Sequence, residues 1–272
     1  MKRAISIVAV TDVTFILLLS LSGSVGGVMG DIFYYLSFVI SFLLALGINK
    51  ALGGAFLQPS VTPVKTVSAF TVPLAAPFVA AVMLISFLTS LVLGFFGFSS
   101  SVDLSGNIFA VILKHALLPA VLEELLFRFV PIALIAPYSK KNAVFISALF
   151  FSLIHCNLFQ IPYALLAGFL LSLISVGAGS IIPAVIIHFL NNLASILLGR
   201  QGESLVFNIC FFVILTLITA VSLVYVFIKR KYYSTTIKSV FEDKCKLEFT
   251  YTAFLLVFLT IFISIYNIWV NA

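Results

Sequence analysis

Pro119-Ala-Val-Leu-Glu-Glu-Leu-Leu-Phe-Arg128 places Glu123, Glu124 and Arg128 inside an apolar run from Ile108 to Ala136. That run exceeds the roughly 20 residues a helix needs to cross a bilayer. Ionised groups at such depth cost several kcal/mol, so they face a protein interior and carry a function or a partner. On a helix Glu124 and Arg128 are four apart and share a face, acid before base, which suits an ion pair. Glu123 is rotated by about 100° and finds no partner in its own helix. One acid is structurally accounted for, and Glu123 is left for chemistry.

The rest of the chain agrees with a membrane setting. Of 272 residues, 62% are hydrophobic and 9% charged, and the mean hydropathy is +1.26. Soluble domains carry about 25% charged residues. The fold class expected is all-α: a polytopic helical membrane protein forming a single transmembrane domain over 1–272. Cys156, Cys210 and Cys245 are too far apart to suggest a disulfide framework or a metal motif. A net charge of +6 invites a nucleic-acid reading, but the basic residues cluster in short loops between apolar runs. Positive-inside topology and anionic lipid surfaces account for them, so no nucleic acid is expected as a partner.

Apolar runs lie near residues 4–22, 32–48, 72–98, 108–136, 143–156, 159–176, 181–198, 205–228 and 249–270. This predicts nine spans, the fifth being short and expected to continue past Asn157. The first is read as an uncleaved helix, with Asp12 snorkelling toward the inner surface. Gly53, Gly54, Pro59 and Pro63 mark a breaker-rich linker before the third run. With a cytoplasmic N-terminus, Lys50, Lys65, Lys140, Lys141 and the basic stretch 229–247, read as a cytoplasmic loop, all fall inside. The outer loops hold Asp31, Asp103, Arg200 and Glu203, the bias the positive-inside rule expects.

Three further polar side chains interrupt later runs within the motif region 108–198: His155, His188 and Asn192. A single intramembrane His or Asn often only bonds a carbonyl or glues helices. Several such groups on three runs point instead to one polar chamber. At 1.5 Å of rise per residue, Glu123, His155, Asn192 and His188 lie about 20, 18, 16 and 10 Å above the inner helix ends. A carboxylate and an imidazole sharing a water can deprotonate it. A second imidazole and a carboxamide can stabilise the oxyanion that follows. This is equipment for amide hydrolysis and calls for no cofactor. Ser152 and Cys156 are displaced around their helix from His155 and make poorer nucleophiles.

Glu123-Glu124-x-x-x-Arg128, Phe151-x-x-x-His155, Gly179-Ser-Ile-Ile-Pro183 and His188-x-x-x-Asn192 occur in an order that resembles the CPBP family. These are the CAAX-protease and bacteriocin-processing membrane proteins, and the likeness spans about residues 115–195. The resemblance implies a glutamate-dependent intramembrane endopeptidase with an eight-helix core, here followed by a ninth, C-terminal span. It implies that Glu123 and His155 activate water and that His188 and Asn192 form the oxyanion site. Glu124 and Arg128 become supporting residues. Phe129 departs from the glycine many relatives carry, which bears on helix packing. The expected partners are membrane lipid and a peptide or protein substrate, a lipidated peptide suiting a lipid-facing chamber. The compact, Phe-, Ile- and Leu-rich chain reads as a protein of a prokaryotic cell membrane. Two other readings use the same cluster: a zinc metalloprotease with Glu123, His155 and His188 as ligands, and a non-catalytic scaffold, immunity protein or transporter.

Overall fold

The computed structural model describes residues 1–54, 62–95, 104–157, 160–201, 204–247 and 249–271. Pro59, Asp103 and Glu203 lie outside them. The described residues are helical with no strand. In order the helices are α1 Lys2–Val25, α2 Gly27–Ala51, α3 Val64–Phe95, α4 Ile108–Ile112, α5 Leu118–Glu124, α6 Val130–Ile135 and α7 Lys140–Leu153. Then follow α8 Ile161–Ala178, α9 Ile182–Gln201, α10 Leu205–Ile228, α11 Arg230–Phe241 and α12 Tyr251–Asn271. Two π-helical segments, Leu113–Leu117 and Leu125–Phe129, flank α5. Single π turns inside α-helices are frequent at functional sites. Among the described residues, α1, α2, α3, α8, α9 and α10 are long and apolar enough to cross a membrane, and Tyr251–Tyr266 is a shorter apolar helix.

The chain divides into two compact units. One comprises Met1–Pro59, Leu125–Ser172 and Asp243–Ala272, the other Ser60–Glu124 and Leu173–Glu242. In the first unit α1 packs along α2. The seam is set by Phe15, Phe38 and Phe127, with Phe15–Phe38 centroids 4.6 Å apart. Asp12 is 1% exposed. It does not snorkel, because it lies on the inward stripe Val8, Asp12, Phe15 of α1. The Phe15–Phe38 pairing brings it level with buried Ser41 of α2. The rings of Phe129 and Phe42 meet at 6.3 Å, so the side chain that follows Arg128 is used in an aromatic contact with α2. In the second unit α3 packs against α9 and α10.

Two further expectations change. The fifth run does not continue past Asn157, because α7 ends at Leu153. The His155 ring donates from Nδ1 to the Phe151 carbonyl at 2.8 Å, occupying the acceptor that the His155 amide would use in a longer helix. Cys156 then takes a left-handed φ of 46°. The stretch 229–247 is not a loop throughout, since Arg230–Phe241 is helical. Tyr233 and Val240, seven apart on one face, are buried there while the charged side chains point out. An amphipathic surface helix carries too much charge to be seen as an apolar run.

Candidate functional site

In the second unit α5 ends on Glu123 and Glu124, and it packs against α9. Helix α9 starts with Pro183 in its first turn and buries Ala184, Ile187 and His188 along one stripe. That stripe turns His188 toward the carboxylates. His188 Nδ1 lies 2.8 Å from Glu124 Oε1, and His188 Nε2 lies 3.8 Å from Glu123 Oε2. Glu124 is fully buried and the His188 side chain is 10% exposed, whereas the Glu123 side chain keeps 15%. One imidazole therefore stands between two consecutive carboxylates, hydrogen-bonded to the buried one. Asn192 follows one turn later on α9 and is partly buried.

The i,i+4 rule assigns Glu124 to Arg128; the structure adds His188 as a partner. Nothing local in the sequence announces that contact, because the two residues are 64 positions apart.

In the first unit Arg128 is fully buried, and its guanidinium carbon lies 3.7 Å from the centre of the Phe151 ring. The same phenyl ring meets His155 edge-on, with centroids 5.0 Å apart and planes at 85°. Phe151 thus contacts both motif residues by its ring and holds His155 by its carbonyl. A carbonyl only accepts, so His155 Nδ1 carries a proton, and when the ring is neutral its lone pair lies on Nε2. That tautomer is competent as a base. Ser152 Oγ donates to the Leu149 carbonyl at 2.7 Å, so its proton is already engaged within its own helix.

The donor set bears on metal binding. Among the described residues, no three His, Cys, Asp or Glu side chains are grouped to hold a metal ion. Glu124 on Nδ1 would orient His188 equally well for a metal or for a substrate oxygen.

Residues 105–194 match a family model described as type II CAAX prenyl endopeptidase Rce1-like. The matched span opens just before α4 and closes two residues beyond Asn192, so it takes in both carboxylates, Arg128, His155, His188 and Asn192. No curated protein and no solved structure matches the chain. Together with the long apolar helices, the match makes this an integral membrane protein and supports, at the level of the family, a CAAX-type protease. Over residues 105–194 the chain is similar to the type II CAAX prenyl endopeptidases.

Proposed function

We propose that this chain is an intramembrane endopeptidase that hydrolyses a peptide bond with a water activated by Glu123 and His155. The observation that carries the reading is His188, set between Glu124 at 2.8 Å and Glu123 at 3.8 Å. Glu123 is the more accessible of the two acids. It takes a proton from water while the resulting hydroxide attacks the carbonyl carbon, and it returns that proton to the departing amine. His155 joins this step by its motif and by its ring, which the Phe151 carbonyl orients through Nδ1. His188 Nε2 and the Asn192 carboxamide donate to the oxyanion.

For His188 to donate from Nε2, the Glu124–His188 pair must hold two protons. One is shared between the Glu124 oxygen and Nδ1, and the other sits on Nε2. That arrangement is neutral as a pair, whichever atom holds the shared proton, and an apolar interior favours it over a buried net charge. Glu124 is then a positioning residue that fixes the ring and its proton.

The substrate is a membrane-borne peptide or protein, and a lipidated segment fits the setting. The charge distribution of the loops puts the N-terminus and the segment 229–247 on the cytoplasmic side. Cleavage of a membrane-inserted peptide library by purified protein after exhaustive chelation tests the reading. Activity that survives chelation supports glutamate-based water activation. Activity lost to chelator and restored by zinc makes His188 and His155 ligands instead, and no cleavage by folded protein favours a scaffold.

A further inference from the structure

Helix α10 is apolar over 24 residues, and Leu217, Val221, Val224, Phe227 and Ile228 on it are all more than half exposed. In a bilayer, acyl chains cover such side chains. The helix ends at Ile228, and Lys229, Arg230 and Lys231 follow at once. Residues 229–246 hold six of the 15 Lys and Arg residues against two acids, Glu242 and Asp243. A surface cavity of about 550 Å³ opens at this junction, lined by Ile228, Lys229, Lys231, Tyr232, Thr235 and Thr236. Among the described residues no carboxylate pairs with Lys229 or Lys231. The Thr235 and Thr236 hydroxyls donate to the carbonyls of Lys231 and Tyr232. Two ammonium groups and the Tyr232 hydroxyl therefore remain as donors toward a ligand.

The cavity is built on a docked helix. Tyr233 donates from its hydroxyl to the Ala69 carbonyl at 2.7 Å, and the Phe70 ring meets Tyr232 and Tyr233 at 6.0 and 5.9 Å. The Thr236 methyl lies against Gly177, where an added Cβ would come within 3.1 Å of it. These contacts fix α11 before any ligand arrives.

We propose that this cavity binds the phosphate of one anionic phospholipid, whose acyl chains lie along α10. Two unpaired ammonium groups match a phosphodiester in charge, and Ile228 matches the start of the acyl chains in polarity. A lipid is favoured over a soluble phosphate because the apolar flank of α10 runs directly into the cavity. Native mass spectrometry of the full chain, released from micelles holding phosphatidylglycerol or phosphatidylcholine, tests this. Wild type should retain one phosphatidylglycerol and no phosphatidylcholine. Lys229→Gln/Lys231→Gln should weaken retention roughly 30-fold, the scale of two surface lysines. Lys229→Arg/Lys231→Arg should keep retention, and so should Lys244→Gln/Lys246→Gln, which removes equal charge elsewhere. Equal loss in that control pair would overturn the site in favour of general charge attraction. Undiminished retention in Lys229→Gln/Lys231→Gln, or displacement by millimolar inorganic phosphate, would also overturn it.

Discussion

His188 Nδ1 is 2.8 Å from Glu124 Oε1, and that carboxylate has no exposure to solvent. A ring nitrogen held this way leaves one nitrogen, Nε2, for chemistry. What it does depends on whether it carries a proton.

Glu124→Gln separates the two roles. A carboxamide at this position can donate to Nδ1, which leaves the neutral ring with its proton on Nε2, a donor. If His188 serves the oxyanion, turnover should stay within about tenfold of wild type in correctly folded protein. If His188 were the base, the wrong tautomer would cost about 10⁴-fold, as an Asp-to-Asn change does in serine-protease triads. Measuring kcat on matched folded fractions decides between them.

Phe151 should matter to stability out of proportion to its volume. Its ring lies 3.7 Å from the Arg128 guanidinium carbon, and its carbonyl holds His155. Phe151→Leu retains apolar volume but removes the π face, worth about 2 kcal/mol when the cation is desolvated. Arg128→Ala should be worse, at about 3–5 kcal/mol, the scale of removing one partner of a buried charge arrangement. Thermal unfolding in detergent should rank wild type above Phe151→Leu, and Phe151→Leu above Arg128→Ala. Unchanged stability in Arg128→Ala would refute a structural role for this cation.

Much of this organisation is legible in the amino-acid sequence, for identifiable reasons. The run Leu205–Ile228 coincides with α10 because no charged residue, glycine or proline interrupts it. Helix α11 is not visible as an apolar run, since charged side chains surround Tyr233 and Val240. The end of α7 depends on a side-chain proton, His155 to Phe151, that hydropathy does not register. Likewise, Glu124 and His188 meet only through the packing of α5 on α9. Spacing identifies residues that share a helix face, but it does not reveal contacts between helices.

Asp243 supplies a pH test outside the membrane. Its partial burial acts to raise the carboxyl. Hydrogen bonds from the Ser139 hydroxyl and the Lys141 and Cys245 amides, with the Lys141 charge, outweigh that and hold it below its usual value of 3.8. A carboxyl lowered by folding stabilises the fold above its unfolded pKa, and that contribution disappears as pH falls through the lower folded value. Wild type should therefore melt about 2–4 °C above Asp243→Asn at neutral pH, the shift for losing one helix cap. The gap should close below about pH 4. A gap that persists at acid pH would show that the ionised carboxylate is not what ties the 243–247 segment to α7.

The most direct measurement for the proposed peptidase compares new protein N-termini in membranes carrying wild type with those carrying Glu123→Gln at matched folded levels. The variant preserves the shape of the side chain beside His188 and removes the group that accepts the proton of water. A set of termini should be present with wild type and absent with Glu123→Gln, because loss of a general base lowers the rate by about 10²–10⁴-fold. The same termini at the same abundance in both membranes would contradict that role for Glu123.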